Sequence, residues 1–320
     1  MTVLVTGGAG YIGSTVVSQL LVRGEEVVSI DNLYRGNYKY LSHYKDNPCL
    51  RMVVGDISSI RELRDSLRGV RDLSAVVHLA AVPGLERCRK DPERAVATNV
   101  LGTFNVLEVA REFDAEKVIF ASSAAVYGIP KVTPIREDHP LNPINLYGAT
   151  KLAGEKIVEL YNYNYGLKTV VLRFGNVYGV GLFTYWETVI PKFVKLALDG
   201  KPLTIYGDGN QSRDFIHVLD VANAIMLALD HERLSGEVFN LGSGRAISIK
   251  AVANIISEVF REDYGKKVDV VYFPPRQGEP CVENFCYLTE KVKTKLGFEV
   301  KWSIREGIKQ TIQYGISGRV

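Results

Sequence analysis

The sequence predicts an α/β fold in which a doubly wound parallel sheet is joined to a smaller, discontinuous C-terminal lobe. Short apolar, β-branched segments alternate with helix-patterned segments through the first half of the chain. Strands that are apolar on both faces are typical of a parallel sheet covered by helices. A glycine-rich stretch, TGGAGYIG, follows the first apolar segment. The length of 320 residues suits two structural units better than one compact core.

The predicted strands of the first half share an apolar, β-branched composition. They lie at 2–6, 26–30, 50–55, 75–80, 117–123 and 169–174. Between them, apolar residues recur at helical spacing and predict helices. These helices lie near 11–23, 59–69, 92–112 and 145–165.

The alternation loosens after residue 174. Segments rich in Gly, Pro and polar residues, at 199–215 and 272–280, interrupt the helical pattern. Helices are predicted near 187–199, 220–230, 248–261 and 303–315. One further apolar segment at 237–244 predicts a strand that returns to the first sheet. We therefore expect one unit at 1–174, with a return near 214–246, and a second unit at 175–320.

Composition excludes several classes of protein. The net charge of +3 and the lack of like-charge blocks argue against binding to nucleic acid or a membrane surface. No apolar run approaches the roughly 18 residues that span a bilayer, and no signal peptide is expected from the opening MTVLVTGG. Four cysteines without a CxxC pair and five histidines without ligand spacing predict a reduced, cytoplasmic protein with no metal.

The glycine-rich stretch indicates a dinucleotide site of the Rossmann type. Gly7, Gly10 and Gly13 permit a tight turn, close approach of the backbone to a diphosphate, and close packing of helix on strand. The helix N-terminus then presents free amides to the anion. Asp31 ends the second strand, 18 residues after Gly13, where a carboxylate accepts hydrogen bonds from ribose hydroxyls and repels a 2′-phosphate. The motif therefore predicts NAD rather than NADP.

Two further strand ends point to the same edge of the sheet. Asp56 follows the third strand and is placed to meet the adenine amino group. The segment 78–81 follows the fourth strand and is expected to line the nucleotide path. His78 itself is better explained as a packed strand residue than as a catalytic one.

Ser123, Tyr147 and Lys151 form the predicted catalytic set. Tyr147 and Lys151 stand four residues apart and share one helix face, although such a pair alone arises often by chance. Ser123 ends the fifth strand at the nucleotide edge of the sheet. Together the three side chains are expected to converge beside the nicotinamide. A cation near the phenol favours phenolate, so we expect Lys151 and the oxidised nicotinamide to lower the pKa of Tyr147.

At this point the chain resembles the extended short-chain dehydrogenase/reductase family, in its nucleotide-sugar branch. The similarity covers nearly the whole chain. The segments that carry it are TGGAGYIG (6–13), ATNVLGTFNVLE (97–108), SSAAVYG (122–128), YGATK (147–151), LRFGNVYG (172–179) and YGDGNQSRDFIHVLDVANAI (206–225).

The resemblance implies a role for each matching residue. Tyr147 is the general base, Lys151 its electrostatic partner and a ribose ligand, and Ser123 a hydrogen-bonding helper. The cofactor-binding residues are Gly7, Gly10, Tyr11, Ile12, Gly13, Asp31, Asn32, Gly36, Asp56, Ile57, Leu79, Ala80, Ala81, Asn99, Ser122, Tyr147 and Lys151. The substrate-binding residues are Ser123, Asn176, Val189, Thr204, Tyr206, Arg213, Arg276 and Glu283. Asn99 and Asn176 are equally compatible with buried polar residues that satisfy loops.

The implied activity is NAD-dependent inversion of C4 of a UDP-hexose through a 4-keto intermediate. A nucleotide-sugar dehydratase needs an acid and a base after the strand-end Ser, where this chain has Ala124 and Ala125. A nucleotide-sugar dehydrogenase and a UDP-N-acetylglucosamine 4-epimerase remain alternatives, and a non-catalytic NAD-binding protein is a minor one. No cysteine is expected at the site to form a thiohemiacetal.

Two departures from the family pattern concern the sugar pocket. Gly175 stands where an aromatic residue is usual, which predicts extra room near the nicotinamide. Glu283 lies seven residues after Arg276, at the position that faces the hexose, where a carboxylate disfavours UDP-glucuronate. The alternative is that Pro280 shifts the register and Glu283 faces solvent. The resemblance also implies a homodimer packed through the helices near 92–112 and 145–165.

Overall fold

The computed structural model describes residues 1–275 and 282–318. In chain order the strands are β1 (Thr2–Thr6), β2 (Glu26–Asp31), β3 (Leu50–Val54), β4 (Leu73–His78), β5 (Lys117–Ser123), β6 (Lys168–Phe174), β7 (Asn176–Tyr178), β8 (Leu203–Tyr206), β9 (Ser212–His217), β10 (Glu237–Leu241), β11 (Ala246–Ser248) and β12 (Val270–Phe273). The helices are α1 (Tyr11–Val22), α2 (Ile60–Ser66), α3 (Leu85–Lys90), α4 (Pro92–Val96), α5 (Gly102–Glu112), α6 (Leu146–Tyr165), α7 (Val189–Leu198), α8 (Val218–Asp230), α9 (Ile249–Tyr264), α10 (Glu290–Leu296) and α11 (Ile304–Ile316).

The central sheet has seven strands in the order β10-β6-β5-β4-β1-β2-β3, and every neighbouring pair is parallel. The chain reverses its direction of winding between β1 and β4, so the loops that follow these strands diverge. Ligands of open parallel sheets bind in the crevice at such a reversal, beyond the carboxyl ends of the strands. The predicted doubly wound fold is confirmed.

The two faces of this sheet carry separate apolar cores. On one face, α1 and α8 cover strand residues that include Val5 and Leu172. On the other, α2, α5 and α6 cover residues that include Leu4 and Phe120. Burial on both faces explains the apolar strands, since each strand side chain meets a helix whichever way it points.

The second lobe is built on two small sheets, β11-β9-β7 and β12-β8. Helices α7, α9 and α11 pack around them, with Phe193, Ile256 and Ile308 in the core. The strand predicted at 237–244 is β10, and it pairs with β6 at the edge of the central sheet.

Several short elements escaped sequence analysis. The Gly- and Pro-rich segment 199–215 holds β8 and most of β9, and helices α3 and α10 were not predicted. These elements are 4–7 residues long, too short to show a periodic pattern of apolar residues. The predicted helix 92–112 is continuous but contains a π-helical turn at Ala97–Leu101.

Candidate active site

The glycine-rich loop folds tightly at the carboxyl edge of the sheet. Gly7 has a φ of +72°, and a Cβ there would lie 2.8 Å from the amide nitrogen of Ala80. A Cβ on Gly13 would lie 2.0 Å from the carbonyl oxygen of Gly7. Helix α1 begins at Tyr11, and its N-cap residue Gly10 has no side chain to cover the first amides. The turn therefore offers backbone amides to an anion, as the motif predicts.

Asp31 lies at the end of β2, against this loop. Its carboxylate accepts hydrogen bonds from the amides of Ala9 (3.1 Å) and Leu33 (2.8 Å). Burial raises the pKa of Asp31, and these two bonds oppose the rise. A Cβ on Gly36 would lie 2.8 Å from both the Cβ of Ala9 and the Asp31 carboxylate, so the following loop packs closely on the same spot. The remaining lone pairs of the carboxylate are available to ribose hydroxyls.

Asn32 and Asp56 meet beyond β2 and β3. The Asn32 amide donates to the Asp56 carboxylate at 2.8 Å, and Ser58 donates to its other oxygen. Burial raises the pKa of Asp56, but the hydrogen bonds from Asn32 and Ser58 outweigh it and lower the pKa. Ile57 is buried against Gly102 of α5. Asp56 therefore stays ionised at the end of the crevice that Asp31 occupies.

The segment after β4 lines the crevice between these groups and α6. Leu79, Ala80 and Ala81 are half-buried. The Thr6 hydroxyl accepts from the Ala80 amide at 3.2 Å and lies 2.7 Å from His78 Nδ1. Burial, aided by Lys151, lowers the pKa of His78 to about 3. The ring is thus a neutral packed residue that joins β1 to β4.

Asn99 lies in the π-helical turn and is fully buried. Its amide oxygen accepts from Val82 N at 2.7 Å, and its nitrogen donates to Val82 O (3.1 Å) and the Thr150 hydroxyl (2.9 Å). These bonds tie the β4 loop to the residue before Lys151. These contacts are what the second interpretation of Asn99 predicted, a buried polar residue that satisfies the hydrogen bonds of a loop. Asn99 therefore acts on the site by positioning Val82 and Thr150.

Ser123, Tyr147 and Lys151 are brought together by the packing of α6 on the end of β5. Asn145 caps the helix by accepting from Gly148 N at 2.9 Å. A Cβ on Gly148 would lie 2.4 Å from a backbone oxygen of the turn that follows β5, so only glycine allows this approach. The approach places the Tyr147 phenol near the Ser123 hydroxyl.

The electrostatics of Tyr147 differ from the sequence expectation. Burial raises its pKa above the usual value, while the Ser123 hydroxyl and the charge of Arg35 lower it. We expected Lys151 to lower this pKa, and the expectation is wrong, because desolvation of the phenolate dominates and Lys151 contributes no lowering. Burial also lowers the pKa of Lys151 to about 8, against the charge of Glu155. Its ammonium donates to Ala121 O at 2.8 Å.

Cys88 corrects the expectation that no cysteine stands at the site. It is fully buried in a cluster with Val82 and Ala95 on which Tyr147 packs. Burial raises the pKa of the Cys88 thiol, which donates to Val82 O at 3.3 Å. A protonated, enclosed thiol is a poor nucleophile, so a thiohemiacetal is disfavoured by the state of the thiol. Nothing in the local sequence brings residue 88 to Tyr147.

A buried ion pair beneath the site was also missed. Glu155, one turn after Lys151, accepts from Arg173 Nε (2.9 Å) and Nη2 (2.7 Å) and from the Ser122 hydroxyl. The Ser122 side chain is buried and engaged by Glu155, and its assignment to the cofactor stays a prediction. Arg173 also donates to the Tyr127 hydroxyl. The i, i+4 spacing of Lys151 and Glu155 was the available signal.

The substrate residues predicted by resemblance occupy the second lobe. Asn176 begins β7, Val189 begins α7, Thr204 and Tyr206 lie on β8, and Arg213 lies on β9. All five are half-buried. Arg213 donates to the carbonyl oxygen of Ser212 at 2.7 Å, and the Tyr206 ring packs against Phe273. Arg276 lies outside the described residues.

Glu283 lies on the surface of the second lobe. It is exposed and lines an open groove with Asn210 and Arg245. The reason is backbone pairing, since Ser212 N donates to Val282 O at 2.9 Å and fixes the orientation of this segment. The exposure of Glu283 favours the solvent-facing alternative, and the expectation that Glu283 faces the hexose stays a prediction.

Gly175 does not leave room near the nicotinamide. A Cβ there would lie 2.7 Å from the carbonyl oxygen of Asp214. The Gly175 amide donates to Leu241 O at 2.9 Å. The glycine is needed because the backbones of β9 and β10 pass this close, and the predicted space is filled by main chain.

Two absences hold for the described part of the chain, residues 1–275 and 282–318. Its helices are all too short or too polar to cross a membrane. Its His, Cys, Asp and Glu side chains form no group of three or more that could hold a metal ion.

A sequence model described as the NAD dependent epimerase/dehydratase family matches residues 3–242. The chain is 37% identical to a UDP-glucose 4-epimerase of Halalkalibacterium halodurans, covering 94% of this chain and 91% of that protein. It is 34% identical to UDP-glucose 4-epimerase of Thermotoga maritima, solved with UDP-glucose, with a TM-score of 0.90 and 99% of each chain covered. The UDP-glucose 4-epimerase of Thermus thermophilus, in complex with NAD, is 32% identical, with a TM-score of 0.86 and 100% of each chain covered.

Proposed function

The chain belongs to the NAD-dependent epimerase/dehydratase family, and we propose that it inverts C4 of a UDP-hexose, interconverting UDP-glucose and UDP-galactose. Family membership confirms the resemblance and the NAD cofactor predicted from the glycine motif and Asp31. The observation that carries the proposal is the convergence of Ser123, Tyr147 and Lys151 beside the glycine-rich crevice.

The residues of the chain divide the chemistry between them. NAD, when bound, supplies the hydride acceptor that oxidises C4 and later returns the hydride. Tyr147 accepts the proton of the sugar 4-hydroxyl and gives it back at the end of the cycle. The Ser123 hydroxyl donates to the reacting oxygen. Lys151 stays cationic below about pH 8 and supplies a positive charge one helical turn from Tyr147. The 4-keto sugar must turn over between the two transfers, so that the hydride returns to its opposite face.

Dehydration is disfavoured by the turn after β5. Ala124 begins a short 3₁₀ turn, Ala124–Val126, that immediately follows Ser123. Elimination of water needs an acid and a base near the sugar C5 and C6, and this turn holds neither. The same turn packs against Gly148, the residue after Tyr147. The two alanines that replace the acid and the base therefore lie beside the proposed catalytic tyrosine.

The proposal also covers the binding residues and the division of the chain. We assign the cofactor to the unit 1–174 with the return near 214–246, and the nucleotide sugar to the lobe 175–320. Asp31, Asn32 and Asp56 are assigned to the adenosine end, and Arg213 and Tyr206 to the sugar nucleotide. The hydrogen-bonded cluster at Asp31 and Asp56 supports the first assignment.

A cytoplasmic homodimer completes the proposal. Exposed apolar side chains on α5 (Phe104) and α6 (Leu160, Tyr163) support pairing of these helices with a second copy. Cys49 and Cys88 are free thiols, which suits a reducing compartment. Light scattering on the purified protein tests the dimer, and a monomeric mass would contradict it.

The activity is tested by incubating the protein with UDP-galactose and separating the products. We expect UDP-glucose to form without accumulation of NADH, because the hydride returns to the same sugar. Stoichiometric NADH would instead establish a dehydrogenase, and a 4-keto-6-deoxy product a dehydratase. Conversion of UDP-N-acetylglucosamine alone would move the substrate to the N-acetylated sugars. Bound NAD without any conversion would indicate a non-catalytic protein.

A further inference from the structure

Arg35 lies on the loop that leaves the cofactor strand β2. It stands between Asp31 and Gly36, the residues that pack against the glycine-rich loop. Its guanidinium stacks on the ring of Tyr185, from the second lobe, with Cζ 3.9 Å from the ring centroid. Arg35 therefore spans the crevice from the cofactor side.

Arg35 has no direct ion pair within the described residues, 1–275 and 282–318, although the charge of Glu187 acts on it from a distance. Its Nε is buried without a hydrogen-bond partner, and no carboxylate in that part of the chain forms an ion pair with it. Burial and the neighbouring cation Arg87 lower the pKa of Arg35 to about 10. Arg87, by contrast, is paired with Glu187. A desolvated, unpaired cation costs free energy, and a bound anion removes that cost.

Arg94 shows that stacking alone does not explain this arrangement. Its guanidinium also stacks on a tyrosine, with Cζ 4.6 Å from the ring centroid of Tyr34. However, Arg94 is exposed and donates from Nε to Asp91 at 3.0 Å. The two arginines share the aromatic contact and the neighbourhood, and they differ in burial and in pairing. Arg35 alone of the two has a buried donor without a hydrogen-bond partner.

The position of Arg35 suggests which anion it meets. A dinucleotide whose ribose is held at Asp31 and whose reactive ring lies at Tyr147 carries its diphosphate between these residues. Arg35 follows Asp31 by four positions, and its charge acts on Tyr147. The planar guanidinium matches phosphate oxygens in a two-point contact.

We propose that the Arg35 guanidinium binds a diphosphate group in the crevice, presented by NAD or by the nucleotide sugar. The inference rests on the nucleotide sites of the proposed function, but it concerns binding and not epimerisation. Such a contact offsets the cost of the unpaired cation. Because the same guanidinium stacks on Tyr185, the contact holds the ligand next to both the β2 loop and the second lobe.

Two binding measurements on the protein as purified distinguish the sources of the diphosphate. The first is the rate at which bound NAD exchanges for added isotope-labelled NAD. The second is the dissociation constant of UDP, measured by calorimetry. Removing a hydrogen bond to a charged group weakens binding by about 10- to 150-fold. Arg35→Met is expected to speed NAD exchange by that factor if the cofactor presents the diphosphate, and to weaken UDP by that factor if the substrate does.

Arg94→Met is the matched control, and it is expected to leave both measurements within about twofold of wild type. Arg35→Lys keeps the charge but loses the two-point contact of the guanidinium, so its NAD exchange rate and UDP affinity should lie between those of wild type and Arg35→Met. The lysine variant also replaces Arg35→Met if the methionine variant does not fold. If both measurements are unchanged in the Arg35 variants, or change equally in Arg94→Met, the inference is overturned. If the wild-type protein binds both nucleotides but does not epimerise the sugar, the proposed function is refuted while the inference about Arg35 is not.

Discussion

Replacing Arg173 by methionine removes one half of the ion pair beneath the catalytic residues. Arg173 and Glu155 have side-chain exposures of only 5% and 6%, so neither charge is well hydrated. In the variant, Glu155 keeps the Ser122 hydroxyl as a donor but loses both guanidinium bonds. A buried carboxylate left in this state is the main cost, because it has lost its counter-charge and cannot regain water.

The size of the effect follows from the geometry. Breaking a buried pair by removing one partner costs about 3–5 kcal/mol. An unfolding entropy of about 2.1 cal/mol/K per residue gives about 0.67 kcal/mol/K for a chain of this length. The Tm of Arg173→Met should therefore fall by about 4–8 °C. Replacing both partners, as Glu155→Leu with Arg173→Met, should recover most of the loss, because an apolar pair carries no desolvation cost.

Calorimetry of NAD-loaded protein measures these shifts. The matched control is Glu159→Gln on the same helix, which breaks the Lys156–Glu159 pair, with its side chains 62% and 65% exposed. Exposed pairs contribute little, so this control should shift Tm by less than about 1 °C. Equal shifts in Arg173→Met and Glu159→Gln would refute the reasoning, as would a double variant less stable than Arg173→Met.

Three further predictions concern the proposed active site. Tyr147→Phe should keep its fold and NAD while kcat falls by roughly 10²- to 10⁴-fold or more, as product analysis with UDP-galactose would show; near-normal turnover contradicts the base assignment. Raising the pH through about 8 should lower kcat as Lys151 loses its proton. The pKa of Lys151 in the folded protein lies below its ordinary value of 10.5, so between pH 8 and 10.5 the unfolded chain binds one proton more than the folded chain. Stability to denaturant should therefore rise across that pH window. A Lys151→Met variant should lose this rise. Asp31→Ala should bind NAD more weakly and discriminate less against NADP in binding assays, and an unchanged preference would show that the ribose is held elsewhere.

Local sequence was sufficient for the sheet and for the glycine-rich turn. The strands were predicted because burial on both faces leaves an apolar run that needs no tertiary knowledge to see. The turn was predicted because a Cβ at Gly7 or Gly13 would clash with the backbone, and the spacing of these glycines is visible within a few residues of sequence. The order of strands, with the reversal between β1 and β4, then placed the strand ends on one edge.

Contacts between residues distant in sequence could not be predicted from local pattern. Cys88 meets Tyr147 across 59 positions, and Arg35 meets Tyr185 across 150. Glu283 faces solvent because its segment pairs with Ser212, which no local pattern reports.

By itself, the sequence determined the doubly wound fold, the NAD site and the family, because periodicity and close backbone approach depend on neighbours along the chain. It also named the proposed catalytic pair, since spacing four on a helix fixes a shared face. Tertiary structure alone decided the electrostatics of that pair: burial raises the pKa of Tyr147 and lowers that of Lys151. It alone also decided which charges are paired, as at Arg173, and which is buried without an ion-pair partner among the described residues, as at Arg35. Desolvation and charge pairing depend on what surrounds a group in space, and that is set only when the chain has packed.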